Sequence, residues 1–302
     1  MAVGIAGERV VPAPGASLRG RVRAVFQRSV HVALDDGFLT LGAADLPPHP
    51  YSILWDGYPG GFVPGQTVTV TQDYVFTADR RLVALAGLAT FRPVLEHDRP
   101  AEFRAIRQAL AASRHAAALL PDKGGLHTLF LQRPRPAPSD VACRLPGAFA
   151  DPGGRLCLRI AEALRQRRLD DLGQAARAVA GLGIGLTPSG DDFLAGMLAG
   201  SRFHGLSLGR PVLSQATLTT LARDCAARTT AFSGFLLRCA AEGQVAAPVG
   251  DWLEAVHAGD ADRAANAVAD LACIGHSSGL DTLMGLLLVM DICLGERAWI
   301  EA

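Results

Sequence analysis

The chain has 302 residues, 49% of them hydrophobic and 19% charged, and its 29 basic residues balance 29 acidic ones. That composition predicts a large packed core and excludes disorder. A net charge of zero excludes partners held by bulk positive charge, whether nucleic acid or an anionic membrane surface. The longest apolar run, Met284 to Met290, ends at Asp291 and is too short to cross a bilayer. The N-terminal MAVGIAGERVV lacks the basic start and apolar block of a signal peptide. None of the six cysteines forms a CxxC pair, so reduced thiols in a cytoplasmic protein are expected.

The first hundred residues read as β. Leu18, Gly20, Val22, Ala24 and Phe26 alternate with Arg19, Arg21 and Arg23, and Val30, Val32 and Leu34 continue the period of two. Asp35-Asp36-Gly37 turns the chain into Phe38–Leu41, a hairpin signal. YSILW, TVTVT, DYVF and RLVAL follow between Gly and Pro, as in a small barrel or sandwich. From about Arg99 the texture becomes helical: AEFRAIRQALAASRHAAALL, then the proline-stiffened loop RPRPAPS (133–139), then RLCLRIAEALRQRRLDDLGQAARAVA. Further helices are expected over 191–203, 214–228, 230–242, 251–258, 260–272 and 279–293. The fold class is therefore α+β, a β-rich domain over 1–98 followed by an all-α domain over 99–302.

One element occurs twice. Ser189-Gly190-Asp191-Asp192-Phe193-Leu194-Ala195-Gly196 aligns without a gap on Ser278-Gly279-Leu280-Asp281-Thr282-Leu283-Met284-Gly285. Both copies follow glycine-bearing loops, GLGIGLTP and IGHS. Part of the pattern is a capping box, with Ser189 paired to Asp192 and Ser278 to Asp281. Gly196 and Gly285 would then let two helices pack closely. Capping does not require Gly181, Gly183 and Gly185, the Thr187-Pro188 brace, the second acid Asp191, or His276.

Alternating glycines let a backbone approach a ligand, and a helix N-terminus adds free N–H groups and a positive dipole end. Two such termini brought together would hold an anion. The acids would then bind Mg²⁺ (through Asp191), accept from ligand amide groups, or act as a general base. A ligand with an amide and an acyl phosphate or carboxylate meets both demands, and carbamoyl phosphate is one. The loops at 183–192 and 274–281 should then be adjacent. In ARTTAFSGFLL, Thr229 and Thr230 read either as another N-cap or as a pocket wall, with Arg228 as a carboxylate clamp. His31, His49, His97, His115, His127, His204 and His257 have no ligand spacing and read as surface or core residues; His276 is the exception.

GLGIGLTPSGDDFLAG, the later GHSSGLDTLMG and the intervening RTTAFSGFLL together resemble the AllH family, a subunit of the oxamate carbamoyltransferase of allantoin degradation. The resemblance implies a multi-subunit enzyme with FdrA-like and third partner subunits. It interconverts oxalurate and phosphate with oxamate and carbamoyl phosphate. On the residues themselves, Asp191, Asp192 and His276 are the catalytic candidates. Gly183, Gly185, Thr187, Ser189, Gly190, Arg228, Thr229, Ser277, Ser278, Gly279 and Asp281 are the substrate-binding ones. No cofactor is required beyond the option of Mg²⁺, and the substrate is a small anion such as carbamoyl phosphate, oxamate or oxalurate. Two other readings stay open: a non-catalytic assembly or effector-binding subunit, and an independent Mg²⁺-dependent phosphate-handling enzyme.

Overall fold

The computed structural model describes residues 3–93, 102–127, 150–208 and 211–295. The expected boundary at 98/99, His97, the RPRPAPS loop and Cys143 lie outside them. Residues 1–94 with 245–247 form one compact unit, and the rest of the chain forms a second.

The first unit is one nine-stranded sheet of β1 (Gly4–Gly7), β2 (Leu18–Val25), β3 (Ser29–Leu34), β4 (Gly37–Ala43), β5 (Ser52–Trp55), β6 (Thr67–Val70), β7 (Tyr74–Thr77), β8 (Arg81–Ala84) and β9 (Ala89–Phe91). Its spatial order is β8-β7-β6-β2-β3-β4-β5-β1-β9. All neighbours are antiparallel except β4–β5 and β1–β9. Alternation sends one row from each long strand inward: Val22, Val30, Val32, Leu39, Leu41, Ile53, Val68, Val70, Val75 and Val83 share one buried cluster. A single sheet that gathers such a row into one core must curl on itself, and it does so as a half-barrel. Two strands carry no sequence signal, β1 and β9, because GIAG and ATF hold little alternation. Pairing of β1 with β5 and then of β9 with β1 forms them, a tertiary effect that outweighs local propensity.

The second unit is helical: α1 (Phe103–Ala118), α2 (Ala150–Arg165), α3 (Leu169–Val179), α4 (Ser189–Leu208), α5 (Gln215–Ala226), α6 (Ala231–Ala241), α7 (Ala247–His257), α8 (Ala261–Ala272) and α9 (Ser278–Cys293). The run from Arg155 to Ala180 breaks into α2 and α3 where Arg167 takes a left-handed φ of 55°. Polar N-caps start three helices: Ser214, Thr230 and Asp260 accept from the N–H groups of Thr217, Ser233 and Arg263. Most helices are amphipathic, but α9 buries every residue from Gly279 to Asp291 except Thr282. A helix without a wet face belongs in the middle of its unit, and α9 packs most extensively on α4. The buried Asp291 at its far end is paired with Arg114 of α1. Among the described residues no helix is long and apolar enough to cross a membrane.

Candidate functional site: the crossing of the two Ser-Gly helices

The repeat seen in the sequence is a repeat in space. Ahead of α4 the Pro188 carbonyl accepts from Asp192 N–H at 3.1 Å, and ahead of α9 the Ser277 carbonyl accepts from Asp281 N–H at 2.9 Å. Gly190 N–H donates to Leu182 and Gly279 N–H to Ile274 in the same way. A Cβ on Gly190 would lie 2.1 Å from the Val179 carbonyl at the end of α3, and one on Gly279 would lie 1.7 Å from the Leu271 carbonyl in the last turn of α8. Each copy is thus a helix, a tight loop and a second helix whose first turn presses on the end of the first. The two copies meet reciprocally. A Cβ at Gly196 would sit 1.9 Å from the Thr282 carbonyl, and one at Gly285 would sit 2.0 Å from that of Phe193. Phe193 and Thr282 are equivalent positions in the two copies, so the crossing has a local two-fold.

This register corrects the capping-box expectation. The residues that cap the helices are 188 and 277, so Ser189 and Ser278 are already the first helical residues. Asp192 and Asp281 then fall in the fourth helical position, one residue past that from which a carboxylate reaches back. Freed from capping, both acids turn into the crossing. Asp192 is hydrogen-bonded by the hydroxyls of Ser278 and Thr187, and those two hydroxyls lie 3.1 Å apart. That bond brings the two loops together. Asp281, wholly buried, accepts from His127 N–H at 2.9 Å, with His127 Nδ1 at 3.4 Å from the same oxygen. The carboxylate packs against Gly125, whose φ of +85° and lack of a Cβ (one would lie 2.6 Å from Asp281 Oδ2) let the chain pass.

Three buried polar atoms at this crossing have no hydrogen-bond partner among the described residues: Asp192 Oδ2, Asp281 Oδ2 and His127 Nε2. Each such orphan costs about 1–3 kcal/mol unless something binds it. Burial is the main force pushing the Asp192 carboxyl well above the usual carboxylate range, and the charges of Asp281 and Asp191 add to it. The hydroxyl bonds from Ser278 and Thr187 oppose that shift without cancelling it. The surroundings of Asp192 therefore favour its protonated form. With its pKa raised by folding, Asp192 gives its full stabilisation below the unfolded-chain value, and loses it as pH rises through the folded value. Asp192→Asn, neutral throughout, should match the wild type in acid and gain thermal stability over it as pH rises. A difference in Tm that stays constant from pH 4 to 9 would contradict this.

Asp191, adjacent in sequence, is oriented differently. One carboxylate oxygen accepts from Gly181 N–H at 2.8 Å, and the other from the Ser233 hydroxyl at 2.7 Å and from that of Thr229. Asp191 thus ties the glycine loop and the start of α4 to the segment that opens α6. Thr230 completes the clasp by donating to the Leu186 carbonyl at 2.7 Å while it caps α6. Gly183 has a φ of +124°, and a Cβ there would lie 2.8 Å from Ser189 N, so this glycine serves the close turn of its own chain. Gly185 meets nothing within 4 Å and is exposed, as are Arg228 and His276. The structure thus gathers Thr187, Asp192, Ser278 and Asp281 and leaves Gly185, Arg228 and His276 on solvent-facing loops. It commits the amides of Gly190 and Gly279 to the protein's own carbonyls. Among the described residues no three His, Cys, Asp or Glu side chains converge as a metal site. His127, which sequence spacing assigned to surface or core, belongs to the site; the only sequence signal for it is the Gly124-Gly125 pair just ahead of it.

By fold and site the chain is an α+β protein whose helical unit is organised on a duplicated loop–helix element enclosing a buried acid pair. Residues 179–290 match the family model described as oxamate carbamoyltransferase subunit AllH, the family that the GLTPSGDD segment resembles. The match runs from the end of α3 into α9, takes in both copies of the element, and does not reach the sheet of residues 3–93. The name given to that family is of one subunit of an oxamate carbamoyltransferase. No solved structure matches the chain.

Proposed function

We propose that the α4–α9 crossing is the ligand site of a carbamoyltransferase subunit, and that it takes a small amide-bearing anion of the carbamoyl phosphate, oxamate or oxalurate class. The observation that carries this reading is the pair of buried, unpartnered carboxyl oxygens of Asp192 and Asp281, inside the segment that matches the family. The free Asp281 oxygen and the His127 imidazole nitrogen suit an amide N–H₂ group, which brings two donors and no positive charge. The hydroxyls of Thr187 and Ser278 stand beside them for the ligand's oxygens. Arg228 and His276, exposed on the flanking loops, are the groups able to meet its negative end. In the transfer, protonated Asp192 would hydrogen-bond the carbamoyl oxygen as charge develops there, the contribution expected of a preorganised donor in a dry site. Asp191 acts on the site through the loop it ties, as a positioning residue. The partners in this reading are FdrA-like and third carbamoyltransferase subunits.

A second reading has one observation in its favour: every acceptor of Asp191, the most distinctive residue of the motif, is filled by the protein itself. On that reading the motif builds the fold, and the chain is an assembly or effector-binding subunit. Phosphorolysis of oxalurate by the purified complex separates the two. Asp192→Leu, similar in bulk but with no donor, should lower the rate at least tenfold with the complex intact and folded, the low end for losing one oxyanion donor. Full activity in that variant would give the assembly reading its place. Turnover of a phosphorylated substrate by the lone chain would replace both with an independent enzyme.

A further inference from the structure

The sheet of residues 3–93 lies outside the segment the family model matches, and its outer face carries a charged feature with no assigned role. Arg19, Arg21 and Arg23 follow one another at alternate positions of β2, all three exposed, with the intervening Gly20 and Val22 buried. Alternation puts Arg19 and Arg21 on one face about 7 Å apart along the strand, and Arg23 follows two residues further on, exposed like them. Their ladder neighbours offer no counter-charge: Arg19 stands opposite Thr69 on β6, and Arg21 opposite Thr67 on β6 and Ala33 on β3. Arg23 falls at the irregularity between Val22 and Ala24, where the register on β3 shifts. Arg21 donates to the Gly65 carbonyl at 3.2 Å. Among the described residues none of the three forms an ion pair, whereas Arg28 and Arg92 of the same unit pair with Asp45 and Glu8. Further along the same face Arg81 stacks on Tyr74 at 4.0 Å.

We propose that this arginine row is a docking face for an extended acidic segment of a partner protein. An extended chain also repeats its side chains about every 7 Å on one side, so carboxylates at alternate positions would meet the arginines one to one. Guanidinium forks then give bidentate bonds that a diffuse field does not. A nucleic acid is a poorer match. The chain has no net positive charge to release counterions along a phosphate backbone, and the row is only three residues long. The face has no part in the ligand site proposed above.

The test uses the full chain and a fluorescein-labelled peptide of alternating glutamate and threonine, read by anisotropy at low ionic strength. The wild type should bind it, and Arg19→Ser/Arg21→Ser/Arg23→Ser should weaken binding at least tenfold with an unchanged circular dichroism spectrum. Arg104→Ser, an exposed arginine of α1, should leave it unchanged. Binding that the triple variant does not weaken, or no binding by the wild type, overturns the proposal. A single-stranded oligonucleotide of equal charge that binds more tightly, and is lost in the same triple variant, overturns it in favour of nucleic acid. If the triple variant misfolds, Arg23→Ser alone decides, since its position off the β3 ladder leaves the sheet intact: a loss of twofold or more supports the proposal, and no loss overturns it.

Discussion

Asp191→Ala is expected to lower the stability of the helical unit by about 3 kcal/mol or more, from bonds worth about 1.5–3 kcal/mol each when one partner is charged. The carboxylate is buried and accepts from Gly181, Thr229 and Ser233. Truncation strands three donors in the interior and unties α4 from the start of α6. For a unit of this size the loss corresponds to roughly 6–12 °C in Tm. Asp191→Asn should cost less, about 1–2 kcal/mol, since the amide oxygen can keep the Gly181 bond and the two hydroxyls can rotate to accept from its N–H₂. Thermal and urea denaturation of both variants, set beside complex activity, separates a brace from a reacting group. For a brace, activity falls with the folded fraction, and Asn recovers most of both. Full stability in Asp191→Asn with activity abolished would return Asp191 to the chemistry.

The helix crossing should be still less tolerant. At Gly196 and Gly285 the obstacle to a Cβ is a carbonyl oxygen of the facing helix, 1.9 and 2.0 Å away, and backbone cannot rotate aside as a side chain can. Overpacking a core costs about 1–3 kcal/mol where side chains yield. Here α4 and α9 must move apart along the largest interface of the unit. Gly196→Ala and Gly285→Ala are each expected to exceed that range and to leave little soluble folded protein. Gly250→Ala in α7, where a Cβ meets nothing within 4 Å, is the control and should stabilise by up to about 1 kcal/mol through helix propensity. Soluble yield and Tm of the three variants decide the matter. A folded Gly196→Ala protein with wild-type Tm would mean the two helices do not cross as described.

The strands and helices with regular periodicity were legible from sequence because each buries a row or stripe of its own residues. β2 through β8 and α4 through α9 fall where alternation and 3.6-residue spacing put them, within a few residues. β1 and β9 were not legible, since GIAG and ATF become strands only when a neighbour supplies hydrogen-bond partners. The break between α2 and α3 was hidden because Arg-Gln-Arg-Arg contains no Gly or Pro to mark it. At the site, the duplication was readable and correctly pointed to two loops that meet. The caps stand one residue earlier than residue type suggests, at Pro188 and Ser277 and not at Ser189 and Ser278. That slip reverses the emphasis on the acids. Asp192 and Asp281, which appeared to be explained by capping, are the ones with unfilled oxygens, while Asp191, which appeared unexplained, is fully engaged. His127 reaches the site only through tertiary folding, and the Gly124-Gly125 pair ahead of it marks a tight turn without saying which group the chain passes.

The reciprocal contacts of Gly196 with Thr282 and of Gly285 with Phe193 are those a symmetric homodimer makes across its axis, here joined within one polypeptide. In a homodimer a substitution on one side is imposed on the other. In a single chain the halves are free to specialise, and they have done so: Asp191 stands where its counterpart is Leu280, and His127 attends one acid and not the other. The central acids thus face unlike surroundings from equivalent positions. A shared axis with unshared chemistry lets two equivalent positions take different roles within one site.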